Sequence, residues 1–255
     1  SEIAKNKTGK KKIVVASILA ALTMTANIVT VEGAIPEGTR TDHLGLAIGT
    51  SSNSKSNQSV AIGYASSAEA PGANPENPAT AVGAGANANG AGTVALGLSA
   101  NATGTNAVAL GGGSNGGTNK TEATAANTTA IGFNAKASKS GAAAIGSGAK
   151  ASGSDSISFG TDTVADSEKA IAIGAGSKAT NIGATALGRS SAATAASATA
   201  VGSLASATGT TATAVGIEAS ASGAESLAIG KTASATSGRA LAVGTNAKAT
   251  GASSV

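Results

Sequence analysis

Thr185-Ala186-Leu187-Gly188, Thr199-Ala200-Val201-Gly202 and Thr213-Ala214-Val215-Gly216 follow one another with a single fixed spacing, from Gly188 to Gly202 and again to Gly216. The same ending (alanine, a large apolar residue, glycine) extends in both directions from this stretch. Its glycines are Gly49, Gly63, Gly83, Gly97, Gly111, Gly132, Gly146, Gly160, Gly174, Gly188, Gly202, Gly216, Gly230 and Gly244. All but two of the intervals between them are identical; the longer ones run from Gly63 to Gly83 and from Gly111 to Gly132. A fixed period held this long marks a solenoid, in which each repeat is one supersecondary unit stacked on its neighbour. A solenoid offers surface rather than pockets, so function is to be sought in extended binding.

The residues before the glycines are Ile48, Ile62, Val82, Leu96, Leu110, Ile131, Ile145, Phe159, Ile173, Leu187, Val201, Val215, Ile229 and Val243, read here as the structural core of the repeat. Two before the glycine stands alanine, with Ser158 the one exception, and three before it the side chain is mostly β-branched or aliphatic. That composition favours a short strand. Side chains alternate across a strand, so Val60 and Ile62 share one face and Ala61 takes the other. Both faces are apolar, as in a strand covered on both sides. A second period-2 stretch follows. Three residues after the glycine the side chain is always Ala, Ser or Thr, and five after it stands alanine in 12 of 14 repeats. One coil therefore reads strand, glycine turn, small-residue strand, turn. Although this period also equals two heptads, a coiled coil spaces its apolar positions by threes and fours. Here they fall two apart and then twelve apart, and 36 glycines in 255 residues would undermine a long helix. The helix is excluded.

Fourteen coils rising by about 4.8 Å each predict a rod roughly 65 Å long. Aromatics make up 1% of the chain and there is no Trp. A coil this short encloses little volume, and an alanine-lined interior buries little apolar area against the entropy cost of ordering each residue. The bulky face of the first strand still needs a cover, and another copy of the chain supplies it. We therefore expect a parallel homo-oligomer with the bulky strands turned toward a shared axis. No cysteine is present, so disulfides are excluded. Most of the net charge of +4 comes from a lysine-rich leader, and the near-neutral repeats lack stacking aromatics. Nucleic acid is accordingly not an expected partner.

Lys10, Lys11 and Lys12 precede the apolar run Ile13 to Met24, followed by small residues such as Ala26. A charged start, a short apolar run and small residues beyond describe a secretory signal, and the run is short for a membrane-spanning helix. The expected organisation is a signal region over 1–34, a lead-in over 35–43, and repeats over 44–255 with inserts at about 69–80 and 112–127. Ser1 in place of Met, and an end at Val255 in mid-repeat, lead us to expect a piece of a longer chain.

Ser59-Val60-Ala61-Ile62-Gly63-Tyr64-Ala65-Ser66 resembles the Asn-Ser-Val-Ala-Ile-Gly-x-x-Ser repeat of the YadA-like heads of trimeric autotransporter adhesins, with Gln58 in the asparagine position. Asn106 to Gly111, with Ser114, is a second near match, and Ser226 to Gly230 a looser third. The leader, Ser1-Glu2-Ile3-Ala4-Lys5 before a lysine run, is similar to the tail of the extended signal peptides of that secretion class. The resemblance implies an all-β, left-handed parallel β-roll with three chains wound into one head. It implies export to the cell surface of a Gram-negative-type bacterium. A neck, a stalk and a C-terminal membrane β-barrel anchor would lie downstream and provide the only contact with membrane. Such heads bind extracellular matrix, host cells or other bacteria, and the ligand varies between members.

From that family the candidate binding residues are Ser59, Val60, Ala61, Ile62, Gly63 and Ser66, although the same residues are needed to build the coil. The inserts add Pro71, Pro75 and Pro78, and Asn115 and Lys120, because proline-bearing and polar inserts must loop outward from a ladder. Three copies of each would form a collar of repeated contacts. His43, the only histidine, precedes the first repeat and reads as a polar edge residue, which leaves little room for histidine-based triads or histidine-rich metal sites. Asp155, Asp162, Asp166 and Glu168 lack the tight nine-residue spacing of calcium-binding rolls and read as a solvated acidic face. Gly111-Gly112-Gly113 lacks the lysine and helix of a phosphate loop. Asn101-Ala102-Thr103 is a sequon of a kind that arises by chance in such a composition. Neither an enzyme nor a cofactor is expected. A spacer or self-associating element without a ligand is the alternative. Ice binding by Thr80, Thr129, Thr185, Thr199 and Thr213 is a third reading, weakened because Val and Leu share their position.

Overall fold

The computed structural model describes residues 45–56, 58–70, 77–114 and 118–255. The expected signal region over 1–34, the lead-in and His43 lie outside the described residues. Among those described there are 28 strands and no helix. They alternate between two parallel sheets of 14 strands each. The first sheet holds the three-residue strands that end just before the repeat glycine, from β1 (Leu46–Ile48) and β3 (Val60–Ile62) to β27 (Leu241–Val243). The second sheet holds the shorter strands between them, from β2 (Asn53–Ser54) to β28 (Lys248–Ala249). Every strand pairs in register with its equivalent one coil on, as Leu46 with Val60, Ala47 with Ala61 and Ile48 with Ile62. The fold is a parallel β-roll whose coil length is the sequence period.

Alternation decides the interior. Around Gly83, Ala79, Ala81, Ala86 and Ala88 point between the sheets and are fully buried. The same four positions recur along the rod and are mostly alanine, with Ser or Thr at a minority of them. Each of those hydroxyls would be costly in so dry an interior without a partner. Their commonest partner is the carbonyl three residues back, which is the turn carbonyl of their own coil. Ser66 donates to the Gly63 carbonyl at 3.0 Å, Thr93 to Gly90 at 2.7 Å and Ser191 to Gly188 at 2.9 Å. Ser177 and Ser226 have no such partner.

The coil has a subdivision that the residue types conceal. Besides the repeat glycine, two residues in each uninterrupted coil are left-handed: Ser190 (φ 54°) and Ser197 (φ 53°) in one, Leu204 (φ 60°) and Thr211 (φ 57°) in the next. The spacing within each pair is half a coil, as is that from Ala79 and Ala81 to Ala86 and Ala88. Each coil is thus two half-coils of one backbone design, each closed by an i to i+3 turn such as Ala86 N–H to the Gly83 carbonyl at 3.1 Å. A leucine rarely adopts positive φ; here ladders on both sides hold it there. The repeat glycine has a firmer requirement. At Gly132 φ is +121°, and a Cβ would lie 2.6 Å from the Gly146 carbonyl oxygen of the next coil.

The alanine interior is not continuous. One cluster of buried alanines runs from Ala61 to Ala151 and a second from Ala165 to Ala249. Between them Ser156, Ser158 and Thr163 fill three of the four inner positions of one coil. Ser158 donates to the Thr163 hydroxyl at 2.7 Å, and Thr163 to the Gly160 carbonyl at 3.0 Å.

Candidate functional site

The six residues nominated from the repeat motif separate by the face they occupy. Ser59, Ala61 and Ser66 are buried. The Ser59 hydroxyl accepts the Ala79 N–H at 3.0 Å, and its carbonyl accepts the Ser54 hydroxyl at 2.8 Å. Gly63 has φ +127°, and a Cβ there would meet the Gly83 carbonyl carbon at 2.6 Å. These four build the coil. Only Val60 and Ile62 look outward, from the half-buried face of β3.

The residues read as the repeat core also lie on that outer face. Within one chain the interior is alanine with some Ser and Thr, and no larger side chain is found between the sheets. The Ile, Val and Leu column from Ile48 to Val243 instead covers the outside of the first sheet, each side chain partly screened by its neighbours one coil away. Leu96, Phe159 and Val243 remain 46%, 51% and 61% exposed. With the column beginning Leu46 and Val60 beside it, interrupted by Thr80, Thr129, Thr185, Thr199 and Thr213, the result is a largely apolar stripe about 10 Å wide and roughly 65 Å long. Tyr64, Phe133 and Ile217, each just after a repeat glycine, extend it onto the turn and are at least half exposed. Sequence reasoning misses these three; their shared position after the glycine is the available signal.

The outer face of the second sheet has the opposite character. Its outward positions include Asn53, Ser67, Asn87, Asn101, Glu122, Lys136, Lys150 and Lys178. Asn87 donates to the Asn101 side-chain carbonyl at 2.9 Å. Lys136 meets Glu122 at 3.2 Å, Lys150 meets Asp166 at 3.5 Å, and Lys55 meets Glu69 at 2.6 Å. Farther along, Ala192, Ser206, Ser220 and Ser234 are uniformly small. Asp155 and Asp162 occupy left-handed positions in opposite turns. With Asp166 paired to Lys150, the acidic residues named together in the sequence do not converge, and the described residues hold no group of three metal-ligating side chains.

The inserts leave from different corners. The first connects β4 (Ser67–Glu69) to β5 (Thr80–Val82), from the second sheet back to the first; the second connects β9 (Val108–Leu110) to β10 (Glu122–Ala123), from the first to the second. Pairing bridges both, Val60 with Thr80 and Val108 with Thr129. The second insert is shorter than expected: Thr121 is already buried, Glu122 pairs with Asn101, and residues 121–127 belong to the coil. Glu69, likewise, still belongs to a strand. Pro71, Pro75 and Asn115 lie outside the described residues. Pro78 is half-buried where the chain re-enters the roll, and Lys120 sits at the pinched base of its insert, where Ser114 N–H reaches the Asn119 carbonyl at 3.0 Å. Opposite corners, three coils apart, do not make one patch.

A family model described as the YadA head domain repeat (2 copies) matches residues 44–73, 78–100, 88–114, 123–149, 151–177, 179–205, 207–233 and 235–255. No curated protein matches the chain.

Proposed function

Because this chain belongs to the YadA head family, we propose that it is the adhesive head of a trimeric autotransporter adhesin, displayed on the bacterial surface, that attaches to extracellular matrix, host cells or other bacteria. The observation that carries the reading is the one-sidedness of the roll. An apolar stripe runs along the outside of one sheet and a hydrated polar face along the other. A stripe of this area lies at the upper end of the apolar patches that monomers leave in water, where such patches mark interaction sites. Its area, about 600 Å² per chain, approaches the roughly 800 Å² per partner of a stable interface. A parallel copy of the same chain fits it best, since only another roll presents apolar rows at the same spacing. Three copies around the stripe leave the second sheet and the turns to face a ligand, through extended and multivalent contact. The proposal includes export and outer-membrane anchoring, and assigns neither catalysis nor a cofactor.

A solid-phase panel with the purified protein tests it, using collagen, fibronectin, laminin, epithelial cells and other bacteria. Saturable binding to one of them is expected. No saturable binding anywhere would favour the second reading, a spacer or self-associating element. The uniformly small outward residues Ala192, Ser206, Ser220 and Ser234 support that alternative for the C-terminal coils.

A further inference from the structure

Resting on the parallel assembly just proposed, we infer that Phe159 fixes the axial alignment of the copies. Fourteen coils of one backbone plan, with aliphatic or threonine side chains of similar size on nearly every outer position of the first sheet, specify alignment weakly. A shift by one coil puts apolar rows back on apolar rows and sacrifices contact only at the two ends. Something must distinguish one level from the others, and within the strand columns, away from the turn residues Tyr64 and Phe133, one coil does.

Phe159 is the only aromatic side chain in either apolar column of the first sheet. It is 51% exposed and stands in ladder register between Ile145 and Ile173. Ile157, on the same strand, is also exposed. The interior of this coil is unusual too. Ser158, directly before the ring, replaces the alanine found in every other first-sheet strand, and its hydroxyl crosses to Thr163 at 2.7 Å. Ser156 donates to the Gly153 carbonyl at 2.7 Å, so all three hydroxyls in this layer are satisfied. The bond from Ser158 to Thr163 ties the ring-bearing strand to the following turn, and the alternation of the strand points the ring outward. This is also the level at which the alanine interior is divided.

In register, the Phe159 rings of all copies meet at one level and fill it together. Shifted by one coil, each ring meets the isoleucine level of its neighbour, overfilling one layer and leaving a gap in the next. One oversized level in a column of aliphatic ones penalises every shifted alignment, as a single distinctive layer does in a coiled coil.

The test mixes differently tagged versions of the full chain during expression and measures co-purification through both tags. The altered chain carries Phe159→Ile together with Ile173→Phe, which moves the ring by one coil without changing composition. A second, with Phe159→Ile and Ile145→Phe, moves it the other way. Circular dichroism and same-variant pairs confirm that each altered chain folds and assembles. Parent with parent should mix at the statistical ratio, and parent with either altered chain about tenfold less. Statistical mixing of parent with altered chains overturns the alignment role while leaving the assembly standing. Failure of two tagged parent chains to co-purify overturns the assembly, and the alignment role with it.

Discussion

The two sheets of the roll present the same inner wall and opposite outer ones. On the inside, both contribute alternate alanines on one backbone plan, repeated every half-coil. On the outside, the first sheet carries mainly Ile, Val and Leu with some Thr, and the second mainly Asn, Ser, Lys and Glu. Small residues inside are dictated by the narrow coil and could not differ without a different fold. The outer residues make only surface contacts within the chain, such as the Lys136–Glu122 pair, on which the coil does not depend. The difference therefore separates two duties: the inner alternation specifies the coil, and the outer one specifies what the coil meets.

Five substitutions probe this division, taken from the largest effect to the smallest and compared at fixed protein concentration, because assembly contributes to apparent stability. Ala172→Leu puts a large side chain into a fully buried inner position. It should cost about 3 kcal/mol, read from the denaturation midpoint, and a neutral result would show slack where the structure has none. Ile173→Lys changes only the outer apolar face. Circular dichroism should keep its β signature while sedimentation shows assembly weakened about a hundredfold; full assembly of this variant would break the comparison outright. Gly132→Ala, at φ +121° and against the Gly146 carbonyl, should cost about 2 kcal/mol in the same denaturation measurement. Lys178→Ser, on the exposed face of the second sheet, should move stability by less than about 0.5 kcal/mol. Breaking the Lys136 pair with Glu122 in a Lys136→Ala variant should matter as little, since such pairs are screened by water.

Much of this is readable from the chain alone. The spacing of glycines reveals the coil, and the alternation around Val60, Ala61 and Ile62 correctly places two side chains opposite one. The chemistry after each glycine locates the second strand. Alternation alone cannot say which of two apolar faces turns inward; the small volume of so short a coil settles it in favour of alanine. The half-coil repeat stays hidden because left-handed positions are occupied by residues as different as Gly85, Asn134, Leu204 and Glu218. Their conformation is imposed by the ladder rather than chosen by the side chain. The second insert reads too long for a related reason. Thr121, Glu122 and Thr124 look like loop composition, yet Thr121 supplies an inner hydroxyl and Glu122 opens a strand. The candidate binding motif divides into four residues that build and two that face outward, a separation that needs three dimensions.

Pairing that passes undisturbed from Val60 to Thr80 and from Val108 to Thr129, across both inserts, makes the corners of this roll natural splice points. Closing a longer loop costs only about 0.6 kcal/mol for each doubling of its length, and the neighbouring strands are already aligned without it. A lineage can therefore change what such a rod displays by lengthening a corner, leaving every coil above and below in place. The same tolerance makes the chain a display scaffold, in which a grafted peptide at either corner would be carried in as many copies as the assembly has chains.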